Sequence, residues 1–364
     1  MWARLAIAIL AVLLPALPAA AEEKLLNIYN WSDYIAADTV ANFTAATGIK
    51  VNYDVYDSNE VLDAKLLAGH SGYDLVVPSA VPFLARQIAA GIYRKLDKAA
   101  LKNYGNLDPR ILAAASVADP GNQYGVPYMW GTDGLGYNPA KIKAALGDAA
   151  PVDGWKLLFD PANAKKLAAC GISILDSAQD VFPAALIYLG RNPLSRDPAD
   201  LDAAAKAVTA IRPFVRKFNS SEYINDLANG DICVAFGYSG DVVQAKARAA
   251  EAKNKVVVAY AIPREGAMMW IDMMAIPADA PHPGNALAFI DDILRPEVAA
   301  SISNAVAYAN PNLKATALVD AAIRTDPNIY PPESIKARLF FDQAATPQYE
   351  RLRTRAWLRA KTGE

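Results

Sequence analysis

Between Leu25 and Gly91, short apolar runs alternate with longer segments that end in glycine, and this rhythm limits the fold more than any other feature of the chain. LLNIYN (25–30), IKVNYDVY (49–56) and YDLVVPS (73–79) read as strands. TVANFTAAT after Asp38 reads as a helix, with Val40, Phe43 and Ala46 or Thr47 on one face and Gly48 as its stop. Asp57 followed three residues later by Glu60 resembles a capping box for the helix through VLDAKLLA, which Gly69 closes. PFLARQIAAG supplies the next helix, up to Gly91. Strands joined by helical crossovers argue for an α/β fold with a mainly parallel sheet covered on both faces. Ligands of such sheets gather beyond the carboxyl ends of the strands. Trp31-Ser32-Asp33-Tyr34 and Ser79 fall at such ends, which is the first reason to place them in one site.

From Asn122 the texture changes. QYGVPYMWGTDGLGYNP is rich in glycine and aromatics and reads as short extended pieces where the chain crosses between lobes. A second α/β pattern follows: a short helix in PVDGWKLLFDP, a strand in CGISILD (170–176), and helices in DVFPAALIYLG (180–190) and SSEYINDLANG (220–230). DICVAFGYSGD (231–241) reads as a strand that empties into a glycine-bearing turn before the helix VVQAKARAAEAK. Residues 255–277 give two extended runs around a turn at Arg264–Gly266, and NALAFIDDILRP is a helix stopped by Pro296. Helical stretches around 331–340 and 348–360 complete the tail.

The first residues, MWAR followed by LAIAILAVLLPAL and PAAAEE, have the order of a secretory signal with a cut after Ala21. No cysteine stands near that cut to carry a lipid, and no later run is long and apolar enough to span a bilayer, so a soluble mature protein is expected. The remainder is long enough for two compact domains. Loss of Arg4 leaves it one unit more negative than the −2 of the full chain. With no excess of basic residues to displace counterions, a nucleic-acid partner is not expected. Cys170 and Cys233 are the only cysteines; in an exported protein the pair reads as one disulfide, with two buried thiols as the alternative. His70 and His282 show no ligand spacing, so no metal is expected.

Nothing in the chain reads as a cofactor loop. GTDGLG (131–136) lacks a dinucleotide-binding context, and GYSGD (237–241) is not GxSxG, because Asp241 stands in place of the second glycine. With two histidines in all, hydrolase chemistry is weak, and neither an enzyme nor a cofactor is expected. Instead, aromatic and acidic residues recur together: Trp31 with Asp33 and Tyr34, Tyr238 with Asp241, Trp270 with Asp272. Ring faces attract ammonium groups, worth about 2 kcal/mol when desolvated, and cover methylenes. Carboxylates then balance the charge. A ligand positive at two ends and aliphatic between them explains acids in more than one cluster. A sugar needs no such acids, and calcium needs closer, regular oxygen spacing. In an extended segment Trp270 and Asp272 face the same way. Glu222 and Asp226, four apart on a short helix, read as solvent-facing, whereas Asp180 falls in the first turn of a helix and serves either its electrostatics or a ligand.

Three long stretches now stand out: YNWSDYIAADTVANFTAATGIKVNYDVYDSNEVLDAKLLAG, YDLVVPSA and SSEYINDLANGDICVAFGYSGDV. Together with PYMWGTDGLGYN, IPREGAMMWIDMMAIPADA and YPPESIKARLF, they resemble the periplasmic putrescine-binding proteins of bacterial polyamine ABC transporters, within the spermidine/putrescine-binding family. The likeness covers essentially the whole mature chain. It implies a two-lobed periplasmic binding-protein fold of type II that closes on a polyamine in an interlobe cleft. Such a protein delivers its ligand to a membrane permease. The first lobe would comprise 22–131 and about 256–306, the second 132–255 and about 307–364, with the terminal helices free to pack back on the first.

Carried over residue by residue, the likeness makes Trp31 and Tyr34 cleft aromatics, and Ser32, Asp33, Ser79 and Ser220 polar contacts. Asp241 and Asp272 become the carboxylates that grip one amine, and Tyr308 a hydroxyl-bearing aromatic from the return crossing. Cys170 and Cys233 match a disulfide pair in the second lobe. Three positions depart from the putrescine-binding pattern: Tyr238 replaces a tryptophan, Trp270 a phenylalanine, and Asp180 a glutamate. These substitutions preserve polyamine binding and leave putrescine and spermidine both in play, with putrescine first. The alternatives are a binding or sensory protein for agmatine, cadaverine or choline. A monomer is the default.

Overall fold

The computed structural model describes residues 22–363; the expected secretory signal, 1–21, lies outside the described residues. Every strand of the first α/β pattern forms. Strands β1 (Leu25–Trp31), β2 (Lys50–Tyr56) and β3 (Leu75–Val76) are joined by the helices Thr39–Thr47 and Asn59–Leu67. Along β1 burial alternates strictly, so Leu26 and Ile28 enter the core while Trp31 leaves the strand end on the other face. Gly48 takes the left-handed conformation that ends the first helix. Asp38 does not cap that helix through its side chain, and the second helix is capped one residue later than Asp57, by Ser58 accepting from the Val61 N–H at 3.3 Å. The PFLARQIAAG segment is a π-type turn over Ala80–Leu84 followed by the short helix Ala85–Ala89.

The glycine- and aromatic-rich crossover is one strand, β4 (Gly125–Tyr137), buried along nearly its whole length. Its glycines are not breakers. A side chain at Gly131 would meet the Trp270 indole at 2.7 Å, and one at Gly134 would collide with the Tyr260 ring. They are the floor on which rings from neighbouring segments lie.

Beyond it come β5 (Ile172–Ile174), β6 (Lys217–Phe218), β7 (Val234–Tyr238), β8 (Ala259–Ala261), β9 (Ala267–Ala275) and β10 (Leu339–Phe340). The order is β2-β1-β3-β9-β4-β7-β5-β6, with β10 beside β9 and β8 beside β4. The sheet is mixed, not mainly parallel. Pairs β1·β2, β1·β3, β5·β6 and β5·β7 are parallel, but the centre is antiparallel because β4 and β9 cross in opposite senses. From Gly125 to Thr132, β4 pairs with β9; from Asp133 to Tyr137 it pairs with β7 and β8. One strand therefore ties two cores together.

The larger core gathers Trp155, Phe159, Phe236 and Tyr223, with Trp357 of the helix Pro347–Thr362 packed into it. The other half of the chain fills two adjoining clusters, one around Phe43, Tyr128 and Phe289 and one around Tyr56, Trp130 and Met273. Val258, Ile262 and Ala267 still pack in the larger core, while Tyr308 and Ile329 pack with the β1 half, and Ala315 and Val319 pack on the helix Pro296–Val306. The terminal helix, instead of returning to the first half, stays on the larger core. Pro296 starts the helix Pro296–Val306 rather than only ending its predecessor, since proline suits the first helical turn. Cys170 and Cys233 form a disulfide at the β5–β7 side of the larger core. Among the described residues no helix is long and apolar enough to cross a membrane.

Candidate functional site

A cavity opens where the ends of β1 and β3 meet the starts of the helices after β5 and β7, with β9 along its floor. It is lined by both halves of the chain. From the first come Trp31, Ser32, Tyr34 and Ser79; from the second come Asp180, Ser220, Tyr238 and Asp241; from the crossings come Trp270, Asp272 and Tyr308. Eleven of the twelve residues singled out in the sequence thus border one space. The exception is Asp33, whose carboxylate turns away to Arg248 at 2.7 Å. Its backbone sits in the left-handed region (φ 53°), which swings the side chain to the rim.

Each central carboxylate is held by hydroxyls. Asp272 accepts from the Tyr34 hydroxyl at 2.8 Å and the Ser79 hydroxyl at 2.6 Å. Asn59 fixes Ser79 in turn, donating to its Oγ at 2.9 Å and accepting from its backbone N–H at 3.1 Å. Asp241 accepts from the Tyr223 hydroxyl at 2.7 Å and the Tyr308 hydroxyl at 2.6 Å. It lies within the first turn of the helix Ser239–Ala252, which starts directly at the end of β7 with no intervening turn. The helix N-terminus accounts for this early start, since its free N–H groups favour an acid there. Asp180, in the first turn of the helix Ala178–Tyr188, accepts from the Tyr238 hydroxyl at 3.2 Å. Ser220 is held with its Oγ accepting from the Asp176 N–H at 3.1 Å.

The aromatic side chains interlock edge to face. Trp270 meets Tyr238 at 5.6 Å and Tyr308 at 5.3 Å between ring centres, and Tyr308 meets Tyr34 at 5.2 Å. Trp31 leans on Tyr56 at 4.8 Å and donates its Nε1–H to the Val77 carbonyl at 2.8 Å. Trp270 and Asp272 both reach the cavity, as the two-residue period of a strand requires.

Among the described residues no lysine, arginine or histidine lines the space; Arg248 and Arg353 act on Asp241 and Asp180 only from beyond the wall. Burial pushes Asp272 up to about 7 against the pull of the Ser79 and Tyr34 hydroxyls, and the charges of Asp180 and Asp241 add to the rise. Burial likewise pushes Asp241 up to about 6 against Tyr308 and Tyr223, and Asp180 up to about 6 against Ser177 and Tyr238. The site is a negative, ring-walled slot that a cation would discharge.

Sequence reasoning missed Asn59, Asp57, Gln179 and Met268, which also line the cavity, and Tyr223, which holds Asp241 from behind. Asn59 carries a local signal, since it opens a helix directly after a strand end; Tyr223 carries none. Glu222 and Asp226 lie outside the cavity and clasp Lys217 at 2.7 and 2.6 Å.

Fold and slot together define the class: the chain belongs to the bacterial extracellular solute-binding proteins, whose family profile matches residues 38–331. Among individual relatives, it is 55% identical to the putrescine-binding periplasmic protein SpuD of Pseudomonas aeruginosa, over 95% of this chain and 94% of that one. It is 54% identical to the putrescine-binding periplasmic protein PotF of Escherichia coli, over 95% and 93%. Among solved structures, a putative spermidine/putrescine ABC transporter protein of Listeria monocytogenes superposes with a TM-score of 0.83 at 31% identity, covering 94% of this chain and 100% of that one.

Proposed function

We propose that this protein captures an aliphatic polyamine in the periplasm and delivers it to the permease of an ABC transporter, without catalysing a reaction. The observation that carries this reading is the cavity's charge: the side chains of Asp180, Asp241 and Asp272 are held by neutral hydroxyl donors, and no basic side chain among the described residues lines the cavity beside them. A ligand with two ammonium groups supplies the missing charge, and the rings of Trp31, Tyr34, Tyr238, Trp270 and Tyr308 cover its methylenes. Ser32, Ser79 and Ser220 offer oxygen acceptors to remaining ammonium protons. The names of the two putrescine-binding relatives support putrescine as first choice, with spermidine next.

In this reading the two packed halves are lobes that share β4 and close on the ligand. The ligand bridges both only in the closed form, so it shifts the population toward closure. Asp33 belongs to this step, not to ligand contact: with Arg248 it joins the halves across the rim. One copy of the chain holds every element the site needs.

Calorimetric titration with putrescine, cadaverine, agmatine, spermidine and arginine tests the proposal. Tight binding of putrescine or spermidine, lost in Asp272→Asn, is the expected outcome. Indifference to every aliphatic oligoamine would overturn it.

A further inference from the structure

One buried acid near the slot is not explained by the arrangement above. Asp133 lies in β4 with 1% of its surface exposed, and neither carboxyl oxygen has a hydrogen-bond partner. An unpartnered buried carboxyl is costly, so its retention calls for a group that it serves. It is not in the cavity wall, and no basic side chain acts on it; the charge it feels is that of Asp180.

The sheet register identifies the group. Trp270 on β9 pairs with Gly131 on β4, and Asp133 pairs with Tyr238 on β7. Residues 131 and 133 are two apart on one strand and so share a face. The indole lies on Gly131: its Cζ2 and Cη2 come within 2.7 and 2.9 Å of where a Cβ would stand. Cζ2 is separated from Nε1 by a single ring atom, so the indole N–H is carried along the same face as Asp133. Nε1 of Trp270 is itself buried and without a partner. Two unsatisfied buried groups, one a donor and one an acceptor, therefore share one face of β4. Burial raises the Asp133 carboxyl well above the ordinary range, Asp180 raises it further, and the Trp270 N–H opposes them in part.

We infer that Asp133 is a positioning residue for Trp270: its carboxyl accepts the indole Nε1–H and fixes the angle at which the ring faces the cavity. A ring held by its edge keeps its π-face toward the ligand, where it attracts an ammonium group and covers methylenes. Gly131 belongs to the same device, since any side chain there would lift the ring off the strand. The affinity arm of the test rests on the amine-binding reading; the spectroscopic arm does not.

The test compares Asp133→Asn and Asp133→Leu, each with Trp270 present and in a Trp270→Phe background. The Trp270 Nε1–H resonance is read by proton–nitrogen NMR without ligand, and affinity for putrescine and spermidine by calorimetry. In the unsubstituted protein that resonance is expected downfield and protected from exchange. Asparagine keeps an acceptor and should preserve both the resonance and the affinity. Leucine should move the resonance upfield and weaken binding roughly fivefold, as for one lost hydrogen bond. In the Trp270→Phe background leucine should change affinity by less than twofold. An unprotected, upfield Trp270 N–H in the unsubstituted protein overturns the inference even if the leucine variant does not fold. An equal loss of affinity in both backgrounds also overturns it, since Asp133 would then serve packing alone. If no amine binds at all, the NMR result still decides the role of Asp133.

Discussion

Lowering the pH from 8 to 6 perturbs the slot without changing a residue. Asp272 titrates at about 7 in the empty site, chiefly because burial penalises its charge, with Asp180 and Asp241 adding to the penalty. The hydroxyls of Tyr34 and Ser79 limit that rise, and Tyr308 and Tyr223 do the same for Asp241. A cationic ligand needs these acids ionised, so protons compete with it. A group titrating at about 7 is about nine-tenths ionised at pH 8 and about one-tenth at pH 6, so Asp272 alone weakens binding about tenfold. Asp241 and Asp180, at about 6, each contribute about a further factor of two, for roughly fortyfold in all. Aliphatic ammonium groups titrate near 10 like a lysine, so the ligand stays charged throughout. Calorimetry in two buffers of different ionisation heat counts the protons released on binding. The count should rise from near zero at pH 8 to about two at pH 6. Asp272→Asn should bind weakly and show only about a fourfold change over the same range. Affinity that stays constant within twofold, with no proton released, would refute the assignment of these acids to the ligand.

Gly240→Ala places a Cβ 2.5 Å from the Tyr308 ring and should withdraw its hydroxyl from Asp241, weakening ligand binding roughly tenfold or more. Wild-type affinity in calorimetry would disprove this. Arg248→Ala removes the 2.7 Å pair with Asp33, and because both side chains are partly exposed the effect should be a two- to fivefold faster ligand release at low salt, fading at high salt. Stopped-flow displacement reads it, and a salt-independent effect would contradict it. Reduction of Cys170–Cys233, which closes a separation of 63 residues, should cost about 4 kcal/mol in denaturant unfolding; a loss below about 1 kcal/mol would contradict the chain-entropy account. The raised acids also bear on stability: a carboxyl whose folded value lies above its unfolded one stabilises fully below about 4, and that contribution is lost as pH rises through 6 to 7. The ligand-free protein should therefore gain stability from these groups on acidification toward pH 5, measured as a larger rise in melting temperature than Asp272→Asn shows over the same pH range, while bound ligand reverses the trend.

How far the sequence could be read depended on whether a signal was local. Trp270 and Asp272 were legible because a strand has period two, and Trp31 and Ser79 because they end short apolar runs. Ser220 and Tyr308 have no local signature, and only resemblance to a family points to them. Gly131 and Gly134 of β4 mislead because glycine usually interrupts strands; here the rings of Trp270 and Tyr260, more than a hundred positions away, fill the space above them. Asp33 looked like a ligand residue because it adjoins Trp31, but its direction depends on Arg248, 215 residues on. Tyr308 is hidden for a related reason: it packs with the first half through partners that no short window of sequence contains.

A comparison of acids within this one molecule gives the strongest physical support for a binding role. Elsewhere the chain meets such a charge with a cation: the buried Asp342 pairs with Arg196 at 2.6 Å and Arg353 at 3.5 Å, and the half-buried Glu350 pairs with Arg353 at 2.7 Å. Breaking such a pair would leave a buried charge without a partner. In the slot the same problem is solved differently, with tyrosine and serine hydroxyls on Asp241 and Asp272. Hydroxyl donors orient a carboxylate and lower its desolvation penalty, but they leave its charge in place. A guanidinium in their stead would stabilise the empty protein and cancel the attraction for an incoming ammonium. The choice of neutral donors therefore trades stability of the empty state for affinity, and it explains why Asp272 has one of the most displaced carboxyl pKa values in the cavity wall.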